Sequence, residues 1–252
     1  MSSDSDRIPF DQIDVVLLDA GGTLVSLDFE WVERELAARG VECRARDLER
    51  AEAAARPAVS REAGARLAQG REPLGFEDFL SIWLRRLAPF ADSPAEVRSL
   101  AASLAPILRP AGESWRLWSV PMPGVKEALA DLCDMGLRLA VVSNSDGSAE
   151  RSLSGAGLRP HLEQVIDSAV VRLEKPDPAI FTHALALMGC RPERTLHVGD
   201  MYFADVVGAR GAGLPAVLLD PYDDWVDVDC MRLPTVSSVR DLLRSARTSN
   251  GR

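Results

Sequence analysis

The sequence predicts an α/β fold, a doubly wound parallel sheet of the Rossmann-like kind with an inserted helical domain. The first apolar run, at residues 15–18, is typical of a strand buried on both faces of a parallel sheet. Residues 26–118 carry helical signals only, and the chain after residue 121 alternates between helical and strand signals. The length of 252 residues fits one or two domains, since about 150 residues per domain is the usual prior.

The inserted segment contains four predicted helices. They show apolar residues at helical spacing, and stop signals such as Gly40 after the first helix and Pro110 after the fourth mark their ends. Pro57 is expected to end the second helix, because proline lacks the amide hydrogen that a helix interior requires. The predicted helices are 29–39, 46–56, 76–87 and 94–108.

The chain after the insertion is predicted to alternate between helix and strand. Predicted helices lie at 124–135, 147–155, 178–189, 202–212 and 237–246. Predicted strands lie at 137–142, 164–167, 195–198 and 215–219. Alternation of this kind builds a parallel sheet with right-handed crossovers. We therefore predict an α/β core from 12–25 and 119–247, a helical insertion at 26–118, and flexible termini at 1–11 and 248–252.

Composition bears on which macromolecules the protein could bind and on the cellular compartment in which it is expected. The formal net charge of −9 argues against non-specific binding to nucleic acid or to an anionic membrane. The four cysteines form no CxxC pair, which favours reduced thiols over a zinc site or a disulfide framework. The N-terminal residues lack a signal-peptide apolar region, and no apolar run approaches 18 residues. We predict a cytoplasmic protein and leave its oligomeric state open.

Unusual polar residues follow the predicted strands, where a parallel sheet gathers its reactive groups. They are Asp19, Ser143 with Asn144, Lys175, and Asp200 with Asp205. Carboxylates crowded at one edge repel each other unless a cation neutralises them, and Mg²⁺ prefers oxygen ligands. An aspartate beside a metal can attack phosphorus, while a lysine and a hydroxyl hold the transferring oxygens. The set predicts Mg²⁺-dependent phosphoryl transfer.

Four ordered motifs carry a resemblance to a known family. They are VVLLDAGGTL, LAVVSNSDG, LEKPDPAIF and LHVGDMYFADVVGARGAG, and each lies at the end of a predicted strand. The chain resembles the haloacid dehalogenase-like hydrolase superfamily over residues 12–245, with a helical cap of the C1 type inserted after the first motif. The resemblance implies that Asp19 is the nucleophile and Lys175 the catalytic lysine. It implies Mg²⁺ ligands at Asp19, the Gly21 carbonyl, Asp200 and Asp205. It also implies substrate phosphate contacts at Thr23, Ser143 and Asn144.

One position departs from the phosphatases of this superfamily. They carry a second Asp two residues after the nucleophile, which protonates the leaving group and later activates water, and this chain has Gly21 there. General acid–base catalysis contributes about 10²–10⁴ in rate. We therefore expect slow turnover of substrates with poor leaving groups, and faster turnover of these substrates when Gly21 is replaced by Asp.

Three relatives that lack this Asp offer alternatives. The 2-haloacid dehalogenases carry Tyr at the position of Gly21 and lack the metal-binding carboxylates of motif four. This chain has those carboxylates, at Asp200 and Asp205. The phosphonoacetaldehyde hydrolases use a cap lysine, and residues 26–120 contain none. A third group, with DAGGT-like motifs, is poorly defined in substrate. We predict a phosphatase acting on a small phosphorylated molecule, and keep open a phosphate-binding pseudo-phosphatase or a 2-haloacid dehalogenase.

Several further polar residues have simpler structural interpretations. His197 lies within an apolar run and is expected to be a core imidazole rather than a catalytic one. Asp146 and Asp177 are expected to cap the helices that follow them. Among the many cap arginines, residues such as Arg34 or Arg39 could reach a substrate anion, and the sequence does not single one out.

Overall fold

The core is a six-stranded parallel sheet. A computed structural model of the chain describes residues 8–87, 90 and 93–250. Its strands are β1 (Val15–Leu18), β4 (Arg138–Ser143), β5 (Gln164–Asp167), β6 (Thr195–Gly199), β7 (Ala216–Leu219) and β8 (Met231–Leu233). They lie side by side in the order β5-β4-β1-β6-β7-β8, and every pairing is parallel. The predicted fold class is confirmed.

Helices cover both faces of this sheet. One face packs against α5 (Val125–Asp134), α6 (Ala149–Gly155) and α10 (Val236–Asn250). The other packs against the short α7 (Ser168–Val171), α8 (Pro178–Met188) and α9 (Gly208–Gly211). The strand residues alternate between these two apolar clusters: in β1, Val16 and Leu18 face the first, and Val15 and Leu17 the second. Burial on both sides explains why β1 is a continuous apolar run.

The register of the sheet sets where the polar strand ends meet. Leu18, the last residue of β1, lies opposite Val141 of β4 on one side and Val198 of β6 on the other. The chain therefore leaves these three neighbouring strands at one edge, where loops from different parts of the sequence converge.

A separate helical layer follows β1. It consists of α1 (Phe29–Ala37), α2 (Ala45–Ala68), α3 (Phe76–Leu84) and α4 (Pro94–Leu108), packed around the fully buried Trp83. The chain enters and leaves this layer through an antiparallel ribbon of β2 (Val25–Leu27) and β3 (Trp118–Pro121), which sequence patterning did not predict. We call the helical layer the cap, and we place the boundary between the cap and the sheet core at this ribbon.

Helix α2 departs most from the sequence prediction. It continues through Pro57, so the expected stop at residue 56 is wrong. A proline in a helix interior removes one backbone hydrogen bond. Here the flanking Ala55, Arg56 and Val59 are buried together with Pro57, and this packing keeps the helix intact across the lost bond.

The segment after β6 and the termini also differ from expectation. Residues Tyr202–Val207 form a π-helical turn that leads into α9. At the N-terminus Phe10 is buried against the core, and α10 extends to Asn250, so the described parts of both predicted flexible ends belong to the folded structure. Residues 1–7 and 251–252 lie outside the described residues. Among the described helices, none combines the length and apolar character needed to cross a membrane.

Candidate active site

Asp19 occupies the first residue after β1. It is 8% exposed, and its backbone N–H donates to the Val198 carbonyl of β6 at 2.9 Å. The following turn is closed by Leu24 N–H, which donates to the Ala20 carbonyl at 2.8 Å. Gly22 has a φ of 71°, and a Cβ on it would lie 2.3 Å from Oδ2 of Asp200. Only glycine lets the turn pass this close to the second carboxylate.

Lys175 bridges two carboxylates within the same edge. Its buried Nζ lies 2.8 Å from Oδ1 of Asp19 and 2.7 Å from Oδ1 of Asp205. Burial by itself would lower the pKa of this ammonium, but the carboxylates of Asp19 and Asp205 outweigh burial and raise the pKa above its usual range. Lys175 is therefore a fixed positive charge between the predicted nucleophile and Asp205.

Asn144 holds the backbone of this lysine. The Oδ1 atom of Asn144 accepts from the Lys175 backbone N–H at 2.8 Å, and its Nδ2 donates to the Lys175 carbonyl at 2.8 Å. The predicted phosphate contact thus uses its amide to position Lys175. Ser143, the last residue of β4, is buried beside it, and Thr23 is 1% exposed, with no hydrogen-bond partner for its Oγ1 among the described residues.

Asp205 is anchored by protein donors at both oxygens. Besides Lys175, Oδ1 lies 3.1 Å from Nε2 of His197, and Oδ2 accepts from the Met201 N–H at 2.9 Å. Burial would raise the pKa of Asp205, yet Lys175 and His197 outweigh burial and hold the pKa well below its ordinary value. A Cβ on Gly199 would lie 2.2 Å from Cγ of Asp205, so the close approach again depends on glycine.

The predicted core position of His197 matches the structure, with one addition. The ring is fully buried and meets Phe181 edge-on at 4.9 Å between centroids. Its contact with Asp205 links this core residue to the site, which a position within an apolar run could not reveal.

Asp200 carries the oxygen best placed for a cation. It is buried, and its Oδ1 has no hydrogen-bond partner among the described residues. Burial raises the pKa of Asp200 well above its ordinary value, Arg56 opposes the rise, and the nearby carboxylate of Asp19 adds to it. Ionised Asp200 is thus short of compensating positive charge.

Arg56 of α2 is a site residue that sequence reasoning missed. Its Nε lies 3.3 Å from Oδ2 of Asp200, and Glu52, one helical turn earlier, accepts from its Nη2 at 2.7 Å. The Glu52–Arg56 spacing of four residues was a signal for an ion pair. Nothing in the sequence indicated that the pair points into the core, because the predicted helix ended at Arg56.

The residues fit a divalent cation. Asp19, Asp200 and Asp205 each offer one carboxylate oxygen, and these atoms all lie within 4.8 Å of one another. Carboxylate oxygens suit Mg²⁺, and Asp200 supplies a buried oxygen that lacks a partner. Asp19 and Asp200 are the better candidates, since both oxygens of Asp205 already accept from protein donors. The Gly21 carbonyl stays a prediction as a ligand.

Residues 109–121, which lead from α4 back to the core and are called the cap hinge here, are tied to the core by Asp146. Its Oδ2 accepts from the Ser114 hydroxyl at 2.6 Å and its Oδ1 from the Ser148 hydroxyl at 2.6 Å, so it links the cap connection to the loop after β4. Within the described part of the chain Asp146 accepts no hydrogen bond from a backbone N–H of α6, so the predicted capping role is wrong. Asp177 does cap α8 as predicted, since its side chain accepts from Ala179 N–H at 2.9 Å.

Trp118 covers the position where related phosphatases carry their second Asp. A Cβ built on Gly21 would lie 2.8 Å from Nε1 of the Trp118 indole and 2.9 Å from its Cδ1. Contacts that short require the indole to move. The Trp118 side chain on β3 therefore blocks the space that an aspartate side chain at position 21 would need, so Gly21→Asp alone is not expected to raise turnover.

Several cavities open next to these residues, and two of them share Asn144 in their lining. The inner pocket, about 110 Å³, is lined by Gly21, Trp118, Ser143 and Arg109, among others. The outer pocket, about 320 Å³, includes Lys175 in its lining. Arg109, Asn144 and Ser145 line both, so the two pockets meet at these residues. Arg34 and Arg39 line neither.

Comparison with known proteins agrees with this geometry. The model of the haloacid dehalogenase-like hydrolase family matches residues 13–213. The chain is 41% identical over 102 residues to haloacid dehalogenase-like hydrolase domain-containing protein 3 of Homo sapiens, a match over 40% of each chain. It is 38% identical over 101 residues to glyceraldehyde 3-phosphate phosphatase of Methanothermobacter thermautotrophicus, a match over 40% of this chain and 45% of that protein. These matches thus span less than half the length of either relative.

A solved structure extends the likeness to the whole fold. The L-2-haloacid dehalogenase of Xanthobacter autotrophicus aligns with a TM-score of 0.58 and 21% identity, over 92% of this chain and 98% of that one. At this identity the match shows the fold, including a helical insertion, and not the reaction. With a family model that covers most of its length, the chain belongs to the haloacid dehalogenase-like hydrolase family.

Proposed function

We propose that this hydrolase is a Mg²⁺-dependent phosphatase that cleaves a small phosphorylated molecule through an aspartyl phosphate on Asp19. The observation that carries the proposal is the buried Lys175 ammonium 2.8 Å from Asp19, in a cluster where Asp200 adds a carboxylate with an unpartnered oxygen. Curated relatives named as phosphatases of glyceraldehyde 3-phosphate and phosphoserine support the same class of substrate.

The residues act in two steps under this proposal. The Asp19 carboxylate attacks phosphorus in line, and the bond from phosphorus to the leaving oxygen breaks with its electron pair on that oxygen. Lys175 and the Ser143 hydroxyl stabilise the charge on the transferring oxygens. Water then attacks the phosphorus of the aspartyl phosphate, phosphate leaves, and Asp19 is regenerated. Mg²⁺ held by Asp19 and Asp200 would supply further neutralisation of the phosphoryl charge. The cap covers this edge and limits the access of bulk water.

Asp19→Asn is expected to abolish turnover, because an amide cannot form the acyl phosphate. Wild type and variant should be assayed with Mg²⁺ on phosphomonoesters, acetyl phosphate and an aryl phosphate, with release of inorganic phosphate as the readout. Asp134→Asn, an exposed Asp on α5, is the matched control and should retain wild-type turnover.

Three outcomes separate the candidate functions. Phosphate release that exceeds the Asp19→Asn background supports the phosphatase. Tight Mg²⁺-dependent binding of a phosphorylated ligand with no product over hours would instead favour a pseudo-phosphatase. Release of halide from 2-chloropropionate that persists in EDTA would favour a dehalogenase, although Asp200 has no evident use in that reaction.

Asp200→Asn is expected to weaken Mg²⁺ binding by at least about 100-fold, since it replaces the charged carboxylate of a proposed ligand by a neutral amide. Asp205→Asn should weaken it by only about 10-fold, the scale of losses at residues that orient ligands. Isothermal titration of Mg²⁺ into each variant measures both affinities, with Asp134→Asn as the control. Equal losses at Asp200 and Asp205 would show that both are ligands.

A further inference from the structure

We propose that Arg109 selects phosphate esters whose leaving group departs as an oxyanion, such as acyl, enol or aryl phosphates, and stabilises that departing charge. The inference rests on the proposed phosphatase function and specifies its substrate class. It assigns the inner pocket to the leaving group.

The inner pocket lies beside the nucleophile. Ala20 and Gly21, the two residues after Asp19, line one side of it, and Ser143 lines another. A phosphoryl group held between Asp19, Ser143 and Lys175 would therefore direct its leaving group into this pocket or along its junction with the outer pocket, and Arg109 lines both.

The lining offers no general acid. Among its eleven residues, all within the described part of the chain, Arg109 alone is charged, and the others are Ala, Gly, Val, Trp, Ser and Asn. A guanidinium does not lose its proton in proteins. Asp146, near the pocket at the hinge, is an acceptor: burial would raise its pKa, but hydrogen bonds from Ser114 and Ser148 outweigh burial and lower it.

Arg109 is held in place with part of its guanidinium unused. Its Nε donates to Oγ of Ser114 at 2.8 Å, and Ser114 in turn donates to Asp146. The guanidinium also lies over two aromatic rings, 5.6 Å from the centroid of Phe76 and 5.8 Å from that of Trp118. Within the described residues no Asp or Glu forms an ion pair with Arg109, and its Nη nitrogens have no acceptor. A fixed guanidinium with free donors beside a phosphate site is suited to an oxyanion.

The chemistry balances without a proton donor. Asp19 forms a bond to phosphorus, the bond from phosphorus to the leaving oxygen breaks, and its electron pair stays on that oxygen as a carboxylate, enolate or phenolate. Water then attacks phosphorus, the Asp19–phosphorus bond breaks, and both water protons end on the released phosphate as H₂PO₄⁻. Since no acid neutralises the leaving oxygen, only groups that are stable as anions leave readily, and Arg109 lowers the energy of the anion that forms.

The test is the dependence of kcat/KM on leaving-group acidity. A series of substituted phenyl phosphates, with phenols that range from strongly to weakly acidic, is assayed with wild type, Arg109→Gln, and Arg98→Gln as an exposed control on α4. For wild type we expect kcat/KM to fall by at least about 100-fold across the series, the scale of a missing general acid. For Arg109→Gln we expect a loss of about 10–100-fold on the weakest acids and much less on the strongest, so that the dependence steepens.

Each outcome bears on a different claim. A steeper dependence in Arg109→Gln, with Arg98→Gln like wild type, supports the inference. The same fractional loss on every substrate, or a shallow wild-type dependence, overturns it and leaves the phosphatase function standing. Turnover that rises with a ring carboxylate regardless of phenol acidity would assign Arg109 to a substrate carboxylate and also overturn it. No turnover above Asp19→Asn overturns both.

Discussion

Lys175→Met is expected to lower kcat severely and to lower the free energy of unfolding by about 3–5 kcal/mol. The change removes the buried cation between Asp19 and Asp205, and loss of one partner of a buried ion pair leaves the other charges uncompensated. Loss of a fixed positive group at the transferring oxygens should lower kcat by about 10²–10³ or more. Urea unfolding and steady-state kinetics measure the two effects.

The chain supplies a matched control for this change. Lys126 is the other lysine of the sequence and lies exposed on α5, so Lys126→Met should leave kcat unchanged and shift stability by no more than about 0.5 kcal/mol. Adding Asp205→Asn to Lys175→Met removes one uncompensated carboxylate and should recover part of the stability without recovering turnover. A Lys175→Met variant with wild-type kcat would rule out the catalytic role of the lysine.

Gly21→Asp combined with Trp118→Ala is expected to raise kcat on alkyl phosphates, by up to about 10²–10⁴. The new carboxyl would protonate the leaving oxygen, and removal of the indole clears the space in which a Cβ at Gly21 would lie 2.8 Å from Nε1. Gly21→Asp alone should give little or no gain. Kinetics on an alkyl phosphate and on an acidic aryl phosphate measure the effect, which should be larger on the alkyl ester.

Trp118→Ala alone is the necessary control, because Trp118 also supports Arg109 through its ring. The gain of the double variant is therefore judged against this single variant. If the double variant is no faster than Trp118→Ala on alkyl phosphates, the missing acid does not limit the rate.

The strand ends and their convergence were predictable from sequence because they depend on a topological rule. Asp19, Lys175 and Asp200 are far apart along the chain, yet each follows a strand or leads into a helix at one edge of a parallel sheet. The contact of His197 with Asp205 was not predictable, since an apolar run indicates burial and says nothing of which polar atom a buried ring meets.

The contribution of the cap could not be predicted in the same way. Arg56 reaches Asp200 because α2 continues through Pro57, and that continuation depends on packing between distant segments rather than on local preference. Trp118 lies over Gly21 because β3 pairs with β2, two short strands without a strong local signal. Arg109 is one of many cap arginines, and only its place between the two pockets distinguishes it.

The β2–β3 ribbon also bears on how the chain reaches this fold. Neighbouring strands β1 and β4 are separated in sequence by the whole cap, so their pairing closes a loop of over a hundred residues. If the ribbon forms first, it brings the two ends of the cap together and reduces that loop to a few tens of residues. The entropic cost of closing a loop grows with the logarithm of its length, so the free-energy cost of pairing β1 with β4 falls by about 1 kcal/mol. The entropic cost of joining the two ends of the insertion then falls on the folding of the cap, and the sheet itself has to close only the shorter loop.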